Sequence, residues 1–260
     1  KILKSYCFSK RLMSHRIIDV NRHTVLNSYI SSSEHTYVVP FAYETIQKAI
    51  ADTEPDSIIQ IYPGTYKEDI DIPDRVHLEG MGDNVVINGV VTLNGYGVCK
   101  SIQAKSLIVP ALANREIFNC RVTSGFRTNE CHVKCDNLQV EGGLIDVGSF
   151  ITLKSAVISG QVYSLDLSQT TCTIEESTLE NSVSLQNGTV LDCRLTTIMD
   201  PLKDLIVTHD STVTVQLFYC FMIGVALVKS GPGNSIRFDV IALGAAHEFT
   251  GGNNTMMAAI

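Results

Sequence analysis

The chain has 260 residues and a formal net charge of −7, with 45% hydrophobic and 18% charged residues. That hydrophobic fraction supports a packed core and excludes general disorder, and the low charged fraction excludes a long coiled coil. The acidic balance gives no overall basic field, so no sequence-specific nucleic-acid partner is expected.

The charge is unevenly placed. Residues 1–40 hold Lys1, Lys4, Lys10, Arg11, Arg16 and Arg22 against Asp19 and Glu34, so this stretch is +4 and the rest of the chain carries −11. It shows no hydrophobic period and reads as a basic extended arm of the kind that docks on acidic surfaces, although a solvated terminus has the same pattern. Lys4, Lys10, Arg11 and Arg16 are its partner-binding candidates, acting by charge. Lys1–Met13 lacks the sustained apolar run of a secretory signal.

Helical periodicity occurs once, in Tyr43–Asp52, where Ile46, Ala49 and Ile50 share a face before Pro55 stops it. From Ser57 onward, short runs of Val, Ile, Leu and Thr alternate with polar residues and end on Gly, Asn or Asp. These runs repeat: Asn119–Gly125, Asn137–Gly142, Lys154–Gly160, Glu176–Asn181 and Asp192–Thr197 each place a small or polar residue, then an aliphatic, then a turn former. With Val122, Val140, Ile158, Leu179 and Leu195 as equivalents the spacings are 18, 18, 21 and 16, with Val157 competing for the third position.

A period near 20 with no helices between the strands predicts a solenoid of stacked coils, a parallel β-helix, with a β-sandwich as the structural alternative. Cys120, Ser155, Ser177 and Cys193 are expected to stack at one corner. The apolar stretch Val213–Val228 is interrupted by Thr214 and Gln216 and spans 16 residues. A transmembrane helix needs roughly 20, so buried strands are expected and no transmembrane segment. The division that follows is an arm over 1–40 and a β-helix over 41–260. The latter splits into a capping helix and linker (41–56), coils (57–235) and an apolar C-terminal segment (236–260) whose end is expected to pair with a neighbouring subunit or another protein. The eight cysteines are spread widely, and Cys131-x3-Cys135 has no second Cys/His pair at metal spacing. They read as reduced, mostly buried side chains of a protein from a reducing compartment.

Tyr43-Glu-Thr-Ile-Gln-Lys-Ala-Ile50, Ser57-Ile-Ile-Gln-Ile-Tyr-Pro-Gly-Thr-Tyr-Lys-Glu68, Val76-His-Leu-Glu-Gly80 and Val86-Ile-Asn-Gly89 together resemble the opening of the pectin lyase-like superfamily. The resemblance is specific over about 50 residues and continues in the looser coil repeat. It implies an all-β, right-handed parallel β-helix solenoid with a short N-terminal capping helix, here preceded by the extended arm. Gly64 is expected in a tight turn with an unusual backbone angle. Tyr66 is expected to cover the edge of the coil, and Glu68 to accept backbone N–H bonds.

The chemistries of that family leave no complete motif here. The Asn-Thr-Asp, Asp-Asp, Gly-His-Gly and Arg-Ile-Lys strings of its hydrolases are absent, and glycoside hydrolysis needs two carboxyls across the bond. Asp146, in Gly142-Gly-Leu-Ile-Asp-Val-Gly148, resembles one esterase aspartate without its partners and reads as a turn residue. Asp69, Asp71 and Asp74 form the best cation candidate, against a solvated acidic strand face. His132, His209 and His247 stand alone. No catalytic, cofactor or metal residues are therefore assigned. The expected function is a noncatalytic structural building block of a larger assembly. The resemblance points to a viral capsid or tail (virion) component, assembled in the host cytoplasm, or otherwise intracellular, with other structural proteins as partners. The alternatives are a polysaccharide-active lyase, hydrolase or esterase, and a carbohydrate-binding β-helix.

Overall fold

The computed structural model describes residues 35–200, 206–209, 213–224, 228–229, 235–243 and 249–250. Lys4, Lys10, Arg11, Arg16 and His247 lie outside them. Within them the chain winds as an all-parallel β-solenoid of about 9 turns with almost no helix.

The first full coil shows how. Strands β2 (Ser57–Ile61), β3 (Gly64–Tyr66) and β4 (Ile70–Ile72) make three sides, and β5 (Val76–Gly80) returns to lie on β2. Parallel neighbours need a long crossover, and the other two sides of the coil supply it. An additional strand, β1 (Thr36–Val39), pairs residue for residue with β2. The expected arm is therefore shorter than drawn, since its last residues form the first rung. At the other end Ser235–Leu243 pairs with Thr214–Gly224, so coils continue past residue 235.

Alternation along each strand sends every second side chain inward, and the register stacks those side chains into columns. On the first side Ile59, Leu78, Cys99, Ile117, Cys135, Leu153, Ile174, Cys193 and Leu217 lie one above another. On the second, Tyr66, Ile87, Ala104, Val122, Val140, Ile158, Leu179 and Ile198 do the same. These residues are buried. Fully burying one aliphatic side chain contributes about 1.5–3 kcal/mol, so the columns are the main favourable term.

The repeat read from the sequence holds for four of its five members. Ile158, not Val157, faces inward, and the fifth equivalent is Ile198, not Leu195. Leu195 belongs to another series: Asn119, Asn137, Ser155, Glu176 and Leu195 turn the corner between the first two sides, all in the left-handed region at φ between 50° and 52°. The corner needs that backbone angle at each coil, so Leu195 is spent on a turn and is exposed. The expected small-residue stack divides for the same reason. Ser155 is a corner residue, Cys193 belongs to the first-side column, and Cys120 and Ser177 are buried just past the corner. Gly64 has no left-handed angle either. It starts β3 in extended conformation opposite Val85.

Helix α1 (Ile46–Ala51) caps the first coil by burying Ile46 and Ala49. A helix of six residues is too short to hold itself together, and its first amide groups need acceptors. Thr45 is the N-cap and its hydroxyl accepts from the Lys48 N–H at 3.2 Å. Glu68 reaches across from the first coil: Oε1 accepts from the Ile46 N–H at 3.0 Å and Oε2 from the Gln47 N–H at 2.9 Å. Two of the segments that carry the family resemblance are thus joined by one carboxylate. Tyr66, beside it in sequence, is buried and donates its hydroxyl to the Tyr62 carbonyl at 2.8 Å. We expect Glu68→Ala to lower stability by about 1–2 kcal/mol in urea unfolding, and Glu68→Gln, which keeps one acceptor, to lose less. Unchanged stability in both variants would contradict the capping role.

Candidate functional site

Two features of the outer surface and a few buried ionisable side chains carry the polar chemistry of the described solenoid. On the first side, Tyr96, Asn114, His132 and Phe150 point outward on four successive coils. All four are exposed, Tyr96 by 59% and Phe150 by 55%. The His132 and Phe150 rings stack at 4.7 Å with 18° between their planes. Successive strands lie ~4.8 Å apart, so this row presents rings and an amide at fixed, regular intervals.

At the corner between the first two sides lies an open groove of about 450 Å³. Amides dominate its lining: Asn84, Gln103, Asn119, Asn137 and Gln139, with Asp83, Ser101, Arg121 and Cys120. Asn137 Nδ2 donates to Asn119 Oδ1 at 2.9 Å, so the two corner asparagines bond across successive coils. Arg121 is turned to Glu141, 2.5 Å away. Such a lining both donates and accepts hydrogen bonds and suits an uncharged polar ligand.

Inside the tube the described residues bury an arginine and two aspartates, Arg115, Asp146 and Asp200, the last accepting from the Ser182 hydroxyl at 3.0 Å. Arg115 is completely buried, and its guanidinium donates to the carbonyls of Val76 and Pro73, both at 2.9 Å, and of Asn94. Its Nε has no partner. Burial pushes Arg115 down to about 10, which still leaves it cationic at neutral pH. Gly97 is its register neighbour, and a Cβ there would lie 2.2 Å from Nη1. Only glycine leaves room for the arginine head. Asp146 occupies a column of the third side, between Thr128 and Leu167. It accepts from the Thr128 hydroxyl at 2.5 Å, from the Thr170 hydroxyl and from the Ser149 N–H at 3.1 Å. Asp146 is therefore a buried brace within a strand, and the turn expected there begins only at Gly148.

Two of the other acidic candidates bond to backbone amides of the next coil from the surface. Asp69 Oδ1 accepts from the Val90 N–H and Asp74 Oδ1 from the Tyr96 N–H, each at 2.7 Å, while Asp71 faces solvent. They brace successive coils and do not converge, and among the described residues no group of three metal-capable side chains forms. Cys131 packs against the Ser149 hydroxyl, and Cys135 is a core residue. Burial pushes the Cys131, Cys135, Cys172 and Cys193 thiols up, which suppresses their thiolates at neutral pH. His209 lies on the third side, its backbone paired with Gln186.

Comparison with protein-family models, with curated proteins and with solved structures finds no match to this chain. The assignment of the fold therefore rests on coil geometry itself.

Arg115 was not visible as a core residue in the sequence. Its one signal is Gly97, a glycine one coil earlier, and that pairing acquires meaning only once the register is known. Arg115→Ala leaves a cavity and deprives three carbonyls of a donor, and we expect a loss of about 3 kcal/mol or more. Arg115→Met fills the volume without the buried charge and should lose clearly less. Denaturant unfolding of both variants checks the order, and an Ala variant as stable as the parent would contradict it.

Proposed function

We propose that the protein is a noncatalytic structural building block of a larger assembly, a rigid β-solenoid that supplies shape while its basic N-terminal arm supplies contacts. The observation that carries this reading is where the reactive groups go. Glu68 holds the capping helix, Asp69 and Asp74 hold backbone amides, Asp146 holds two hydroxyls and an amide, and the seven described thiols are buried. These groups are committed to stacking coil on coil. We place the protein in the pectin lyase-like superfamily on the motifs around Tyr43–Glu68. The finer proposal is a virion component, of capsid or tail, with other proteins of the same particle as partners.

Gradient sedimentation of lysate from the source tests it. The protein should travel with a large particle, and reversing the charge at Lys4, Lys10, Arg11 and Arg16 should release it. A free monomer or small oligomer, or normal incorporation of the charge-reversed chain, would defeat the proposal.

A second reading is a carbohydrate-binding surface without turnover, favoured by the exposed row Tyr96, Asn114, His132 and Phe150. Aromatic faces and an amide at regular spacing suit the apolar faces and hydroxyls of an extended glycan. Binding to a glycan panel should fall at least tenfold in a Tyr96→Ala/Phe150→Ala double variant with unchanged unfolding. Equal binding by parent and variant would remove this reading.

A further inference from the structure

The corner groove is walled by two parallel columns of polar side chains. The first is the corner itself, where Asn84, Ser101, Asn119 and Asn137 stack in register, each in the left-handed region at φ between 52° and 67°. The second is the outward column of the second side, Gln103, Arg121 and Gln139, each one position past a buried residue. Ser101 has the shortest side chain of the corner column and leaves space between Asn84 and Asn119.

These polar groups are left over from the fold. Among the described residues the side chains of Asp83, Asn84, Ser101, Gln103 and Gln139 make no hydrogen bond, and the corner asparagines make only the one between Asn137 and Asn119. Arg121, the cation of the lining, is held by Glu141, which its Nε reaches at 2.9 Å. Asp83 has no cation partner among the described residues, so the groove is neutral to weakly acidic.

We propose that this groove binds a neutral oligosaccharide lying along the tube. Its volume of about 450 Å³ is that of a small-molecule site. Carboxamides donate and accept hydrogen bonds, as sugar hydroxyls do. An acidic sugar or a phosphate finds no free cation in the lining and meets the Asp83 carboxylate. Val85, Ile102 and Cys120, the apolar members of the lining, are buried, and no aromatic ring is present to stack a flat heterocycle. Polar rungs recur every ~4.8 Å. An extended glycan advances by nearly that step for each sugar, so successive rings meet equivalent groups on successive coils. An extended polypeptide advances ~3.3 Å per residue and falls out of step. The corner also fixes the backbone of its amides in advance, which lowers the ordering cost of binding. The exposed row of Tyr96, Asn114, His132 and Phe150 lies at the other edge of the first side, and the inference rests neither on that row nor on the assembly role.

Calorimetric titration of the native full chain tests the site, with cellohexaose, mannohexaose and xylohexaose as neutral probes and hexagalacturonate as the acidic one. At least one neutral probe should bind, and hexagalacturonate should bind about tenfold more weakly or not at all. Gln103→Ala/Gln139→Ala removes two outward amides without touching the core and should weaken the neutral probe about tenfold or more. Hydrogen–deuterium exchange of the parent stands in its place if that variant fails to fold: a saturating neutral probe should protect the backbone around Ser101, Gln103 and Gln139. No binding of any neutral probe, equal binding of hexagalacturonate, or unchanged affinity in the glutamine variant overturns the proposal. Loss of binding in Tyr96→Ala/Phe150→Ala with none in the glutamine variant overturns it in favour of the exposed row.

Discussion

Backbone hydrogen bonding between successive coils is the constraint on which the rest of this structure depends. Each rung lies ~4.8 Å from the next in parallel register, so a residue's nearest side-chain neighbours are its counterparts one coil away. A position must therefore suit its column more than its own strand. The column Val122, Val140, Ile158, Leu179, Ile198 is aliphatic throughout, because a void or a polar group at one level would be felt by the levels on either side. The same constraint applies at the corners, where Asn119 and Asn137 occupy equal backbone angles and their amides bond to each other.

Charge enters this interior only where neighbouring coils are shaped for it. Asp146 has a threonine hydroxyl from the coil before and another from the corner of the coil after. Arg115 has three carbonyls of preceding coils and a glycine that leaves its head room. The two are not partners, and each is solvated by backbone and hydroxyl dipoles in place of water. Burying such groups costs more than packing a hydrocarbon of similar volume, so they are weak contributors to stability. Their effect is on register. A slip of one residue would turn Arg115 outward and bring Asp146 out of reach of both hydroxyls.

A tube built this way is stiff, and its surface inherits the regularity of its core. That makes the outward row of Tyr96, Asn114, His132 and Phe150 a platform with fixed spacing, and the corner groove an amide-lined channel in line with the coils. Both are geometries for holding an extended partner. Acid and thiol groups, by contrast, are drawn inward or onto backbone amides, and the proposed role as a structural element follows from that division between surface and core. The arm, with its opposite charge, complements the tube in that role.

Much of the solenoid was legible in the amino-acid sequence alone. Alternation of apolar and polar residues, the recurrence near 20 and the short helical pattern around Ile46 determined strands, coils and cap, because burial on one face imposes a period of two and stacking imposes a period of one coil. Leu195 shows where that legibility stops. An aliphatic residue can fill a column or turn a corner, and only the backbone register assigns Ile198 to the first task and Leu195 to the second. Glu68 is similar: its motif marks a bond to backbone amides, but the amides belong to a helix about twenty residues earlier. Arg115, Gly97 and Asp146 carry no local signal, since what makes them tolerable is contributed by other coils. The sequence by itself determined the period and the architecture, which depend on averages over many residues. Only the tertiary structure decided which polar groups lie inside, because that depends on single contacts between residues that the winding of the chain brings together.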